Sequence, residues 1–135
     1  MPPARIAIIG APLDLGANRR GVDMGPSALR VANIGQRLAL LGYQIEDWGN
    51  VAVEQPEHAP QGPANARYLP QIAESCRRLA RAVERALSGG QMPLVLGGDH
   101  SVAVGTIAGV SHHFRRRKAR IGVIWVDAHP DMNTP

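Results

Sequence analysis

The sequence predicts an α/β fold built on a mostly parallel sheet, and three observations predict it. Short apolar runs rich in branched residues, Ile6-Ala7-Ile8-Ile9 and Leu94-Val95-Leu96, are each stopped by glycine, the pattern of strands covered on both faces. Between them lie segments whose apolar residues recur at three- and four-residue spacing, as helices packed on a sheet require. The run that ends at Leu96 is followed, after a glycine pair, by polar, ligand-type side chains, and the run that ends at Val126 is followed by them at once. Open α/β sheets bind their ligands beyond the carboxyl ends of the strands, so those are the places where chemistry is expected.

Composition narrows the class. The 135 residues suffice for one domain with a real core and not two. With 44% apolar and 19% charged residues, the chain is far from the low-hydropathy, high-charge profile of a disordered polypeptide. The net charge of +4 is concentrated in Arg115-Arg116-Arg117-Lys118 and Arg120, between a helical segment and a strand. That position, and the absence of interleaved aromatic residues, predicts a solvated loop and no nucleic-acid partner. The apolar runs are strand length, short of the ~20 residues a spanning helix needs, so no membrane partner is expected. The single cysteine, Cys76, and the lack of a signal-like opening predict a cytoplasmic protein.

Taken in order, Arg5-Ile6-Ala7-Ile8-Ile9-Gly10 reads as the first strand. The following Ala11-Pro12-Leu13-Asp14-Leu15-Gly16 is not a dinucleotide-binding turn, because Pro12 stands where a second glycine would let a pyrophosphate approach. A polar, glycine-rich loop over 17–25 leads to Pro26, suited to a first helical turn. One helix is predicted from there through Leu29, Ala32, Leu38 and Leu41, ending at Gly42. Residues 43–49 alternate apolar and polar side chains and read as an edge strand. Residues 50–66 form a surface connection in which His58 has no neighbouring ligand, and a long helix is predicted over 69–87. Its stripe of Leu69, Ile72, Cys76, Leu79, Val83 and Leu87 places Cys76 in the core. A strand over 92–96 then delivers Gly97-Gly98-Asp99-His100-Ser101, and a helix follows from Val102 to about Phe114. His112 and His113 are expected at its terminal carbonyls.

The run 121–126 reads as another buried strand, followed by Asp127-Ala128-His129-Pro130-Asp131-Met132-Asn133. Asp127, His129 and Asp131 at alternate positions would share one side of an extended backbone. Two carboxyl groups and an imidazole suit a divalent ion such as manganese better than structural zinc, although Asp and Asn are also ordinary turn residues. His100 can join them if the two strand ends are neighbours.

These residues carry a resemblance. Gly10-Ala11-Pro12-Leu13-Asp14-Leu15-Gly16, Arg19-Arg20-Gly21-Val22-Asp23-Met24-Gly25-Pro26, Gly97-Gly98-Asp99-His100-Ser101 and the ending from Asp127 to Pro135 resemble the N-terminal portion of the arginase (ureohydrolase) family. The resemblance runs end to end, so residues 1–135 would be the N-terminal part of a single arginase-like domain. It implies a three-layer α/β/α fold and two manganese ions that hydrolyse L-arginine to L-ornithine and urea through a bridging hydroxide. On that likeness His100 and Asp131 would hold one ion, His129 the other, Asp127 both, and Asn133 the amino-acid end of the substrate. The early loop and the Asn-Thr-Pro ending look more like arginase than agmatinase, with agmatinase, guanidinobutyrase or a non-catalytic metal-binding fragment as the alternatives. Pro130 departs from the small residue expected between His129 and Asp131, but removes no ligand. The family pattern continues well beyond Pro135. The remainder would supply two further aspartate ligands, the proton-shuttling histidine and an acidic residue for the guanidinium group, so the 135-residue chain alone is expected to be inactive. Homo-oligomers are implied for the full-length protein.

Overall fold

The structure is a computed structural model and describes residues 5–128. Strand β1 (Arg5–Ala11) lies at the centre of a parallel sheet, with β2 (Gln44–Asn50) on one side and β3 (Met92–Gly97) on the other. Ile6 stands opposite Ile45 and Met92, and Ala11 opposite Gly97, so β1 and β3 deliver their carboxyl ends to the same level.

The alternation of strand side chains explains why β1 is apolar throughout. Ala7, Ile9 and Ala11 pack into one cluster with Leu79, Val83 and Ala86, while Ile6 and Ile8 join Leu96, Ile34, Leu38 and Ile45 on the other face. Ile6, Ile8 and Ile9 are each 1% exposed. At about 2 kcal/mol per buried isoleucine, this outweighs any surface ion pair and makes β1 the anchor of the fold. Helices cover both faces, giving the three-layer α/β/α arrangement that the family resemblance implies.

Helices α3 (Leu69–Ser88) and α4 (Val102–Arg116) form one layer. They approach closely because α4 carries glycine where it crosses α3: a Cβ built on Gly105 would lie 2.7 Å from the Cys76 carbonyl oxygen. Cys76 is buried, as its place in the helical stripe predicts, and its Sγ lies 3.2 Å from the Ser101 carbonyl. Burial pushes its thiol pKa upward, which leaves it a core residue and not a nucleophile. Leu69, at the start of the stripe, is 57% exposed and stands outside the core.

Four expectations are corrected. The predicted helix over 26–41 is two helices, α1 (Gly25–Val31) and α2 (Ile34–Leu40), because Asn33 between them adopts φ 59°, a left-handed conformation that asparagine tolerates better than most residues. Residues 121–126 are not a strand. They run outside the sheet, with Ile124 and Val126 each 93% exposed, since no strand among the described residues pairs with them. His112 and His113 do not serve the end of α4. His112 Nδ1 is 2.9 Å from Glu84 Oε2, and buried His113 shares a hydrogen bond with Ser88 Oγ, so both reach across to α3. Of the basic run, Arg115 and Arg116 belong to the last turn of α4, and 117–120 are exposed. No helix among the described residues is long and apolar enough to cross a membrane.

Candidate metal centre

The site is built where the loops after β1 and β3 lock together. Leaving β3, the Gly98 amide donates to the Ala11 carbonyl at 3.3 Å and the Asp99 amide to the Leu13 carbonyl at 2.7 Å. This is possible only because position 98 has no side chain: a Cβ there would overlap the Leu13 carbonyl oxygen. The Asp99 carboxyl group is buried within the junction. One oxygen accepts the Ser101 amide at 2.8 Å and the other the Gly16 amide at 2.7 Å. A second buried carboxyl group, that of Asp14, accepts from Arg20 Nε at 2.6 Å and the Gly21 amide at 3.2 Å. Arg20 also reaches Glu57 at 2.7 Å, tying this loop to the 51–68 connection.

His100 projects from this junction. Its Nε2 lies 3.2 Å from Asp127 Oδ2, and its ring stacks on Trp125 with centroids 5.1 Å apart and planes 9° from parallel. Thus two of the predicted ligands, 27 positions apart in the chain, stand together at the carboxyl end of β3. They do so although the segment carrying Asp127 is not a strand. The side chains of His100 and Asp127 are 55% and 16% exposed, and they border an open depression of about 380 Å³ that also involves Gly98, Asp99, Ile124 and Trp125. His129, Asp131 and Asn133 lie outside the described residues.

Among the described residues, no group of three His, Cys, Asp or Glu side chains gathers in metal-binding geometry. The pair that does converge fits a divalent ion in kind and spacing. An imidazole nitrogen and a carboxylate oxygen are donors such ions accept, and neighbouring donors around a small octahedral ion stand about 3 Å apart when each bond is about 2.1 Å.

Sequence reasoning named His100 and Asp127 but gave no role to Asp99, Asp14 or Trp125. Asp99 had a readable local signal, an Asp three residues ahead of the first residue of α4, where its carboxyl group can accept a backbone amide. Its second bond, to Gly16, joins residues 83 positions apart and has no local signature.

An open parallel sheet with helices, and an imidazole and a carboxylate meeting beyond the carboxyl end of β3, defines an α/β protein. The chain belongs to the arginase family, whose model matches residues 4–135. It is 52% identical over 130 residues to an arginase from Bacillus caldovelox, a match covering 96% of this chain and 42% of that protein. The crystal structure of a B. caldovelox arginase superposes with a TM-score of 0.86 at 51% identity, over 97% of this chain and 43% of that one. An Entamoeba histolytica arginase solved in complex with L-ornithine gives a TM-score of 0.82 at 30% identity, covering 96% and 43%. The chain therefore spans less than half the length of these relatives.

Proposed function

We propose that the full-length protein carrying this chain is a manganese-dependent arginase, hydrolysing L-arginine to L-ornithine and urea. The observation that carries the reading is the meeting of His100 Nε2 and Asp127 Oδ2 at the carboxyl end of β3 in a chain of the arginase family. The related E. histolytica arginase in complex with L-ornithine supports the substrate class. In this reading His100, Asp127, His129 and Asp131 would hold two manganese ions, Asp127 serving both, and Asn133 would engage the amino-acid end of the substrate. When bound, the ions supply a water that is deprotonated near neutral pH.

The chain's own residues do the rest by charge and placement. His100 presents its ring on a turn whose backbone is tied to β1, so the donor needs little reorganisation to bind. Asp127 brings negative charge beside His100, where it would offset the repulsion between two bound cations. Asn133 offers an amide able to hydrogen-bond either an ammonium or a carboxylate group. A homo-oligomer in the cytoplasm is proposed for the full-length protein.

The test is metal content and urea release in the full-length protein, with L-arginine, agmatine and guanidinobutyrate as substrates. Manganese-dependent urea from L-arginine is expected. Asp127→Asn should reduce activity more than His100→Asn, since it disturbs both ions. Preference for agmatine would shift the assignment to another guanidino hydrolase, and a more damaging His100 change would contradict the assigned roles.

A further inference from the structure

We propose that Asp99 is a positioning residue for His100, its carboxyl group fixing the 99–101 turn against the loop that follows β1. The inference rests on the reading of His100 as a metal ligand. The His100 side chain is 55% exposed and meets Trp125 and Asp127 on its outer side, while the turn that carries it fixes where the ring leaves the backbone. That backbone is bracketed by Asp99. The side chain takes the Ser101 amide at 2.8 Å, its own amide is given to the Leu13 carbonyl at 2.7 Å, and its carbonyl takes the Val102 amide at 3.2 Å.

A carboxyl group serving only as a local cap for α4 would need one oxygen. Asp99 uses both, the second on the Gly16 amide at 2.7 Å, and the residue is only 8% exposed. Among the described residues both side-chain hydrogen bonds of Asp99 are to backbone amides, and they connect the turn carrying His100 to the central strand's loop. Burying a carboxyl group without a cation is costly unless its oxygens are satisfied, and here backbone donors from two separate loops satisfy them. The geometry is that of a group that orients a ligand without touching the ion, a role whose loss typically lowers metal affinity or activity 10–100-fold.

The experiment uses the full-length protein with Asp99→Asn, Asp99→Ser and, as the ligand control, His100→Asn. Manganese binding is followed by calorimetry and metal analysis, alongside melting of the metal-free protein and separate kcat and KM values. Asparagine keeps the size but turns one oxygen into an amide that opposes a backbone N–H. Serine can still cap Ser101 but cannot reach Gly16, so it reports on the same tether if the asparagine variant does not fold. Both are expected to lower manganese affinity about 10–100-fold. Excess manganese should restore most of kcat, with KM for L-arginine little changed. Wild-type affinity in both Asp99 variants, while His100→Asn loses manganese, would overturn the positioning role and leave the ligand reading intact. Wild-type manganese binding by His100→Asn would overturn the ligand reading, and this proposal with it. Failure of both Asp99 variants to fold without metal would make Asp99 a residue of the fold and would also overturn the proposal.

Discussion

At position 98 the Leu13 backbone occupies the space a side chain would need. A Cβ there would overlap the Leu13 carbonyl oxygen and stand 2.6 Å from its amide nitrogen, and backbone cannot swing aside as a long side chain can. Gly98→Ala is therefore expected to push the β1 and β3 loops apart, at a cost of about 1–3 kcal/mol by analogy with overpacked cores. Urea unfolding of the full-length protein measures the cost, and manganese binding should weaken in parallel because His100 rides on the displaced turn. Unchanged stability would mean that the loops are not locked at this point. Gly98 stood out in the sequence as half of a glycine pair after a strand, but what it approaches was not visible there. Leu13 is distant in sequence, and no pattern around either residue points to the other.

Between elements, the tie from α1 to β2 is Arg30. Its guanidinium donates to both Asp47 oxygens, at 2.7 and 2.8 Å, to Asn50 Oδ1 at 2.6 Å and to the Gly49 carbonyl at 3.0 Å. The hydrogen bonds from Arg30, helped by the Gly49 amide, hold the Asp47 carboxyl below the usual carboxylate range against the opposing effect of burial. A depressed folded pKa contributes stability that is complete above the unfolded value, about 3.9, and is lost as pH falls through the folded one. Arg30→Gln should thus cost about 1 kcal/mol or less near neutrality, given that the Asp47 side chain is 40% exposed. The difference from wild type should narrow from pH 5 towards 2 without vanishing, since the bonds to Asn50 and Gly49 do not titrate. Urea unfolding across that range checks it, and a gap of constant size would contradict the Asp47 contribution. At this scale the sequence was legible wherever burial imposes a period. The strands β1 and β3 and the helix α3 stand close to where their apolar patterns place them. It was not legible at Asn33, where one backbone angle splits a helix while the surrounding residues still look helical, or at His112 and His113, whose partners Glu84 and Ser88 belong to another helix.

In the whole molecule, the two sides of the sheet differ in how they are finished. The outer strand β2 carries Glu46, Asp47 and a left-handed Gly49, features that discourage pairing with another chain. Beyond β3 no further strand is present among the described residues, and the apolar run that the sequence offers as one lies outside the sheet. Periodicity and composition identify a segment able to become a strand, whereas pairing depends on a neighbour, which explains why this part of the fold was misread while Asp127 at its end still meets His100. Val123 is 56% exposed, Ile124 93%, Trp125 48% and Val126 93%, a run of exposed apolar side chains in a chain whose described sheet ends on β3. Exposed surfaces of this kind drive association, and an unpaired strand edge templates it. The isolated 135-residue polypeptide is accordingly expected to self-associate at micromolar concentrations, the range in which exposed apolar surface causes aggregation. Replacing Ile124 and Val126 by lysine should move the onset to higher concentration without unfolding the sheet, because neither side chain contributes to the two core clusters. Light scattering and size-exclusion chromatography over a concentration series, with circular dichroism to verify the fold, decide the matter. A wild-type chain that stays monomeric at on the order of 100 µM, or a double variant that associates as readily as wild type, would show that this surface does not govern assembly.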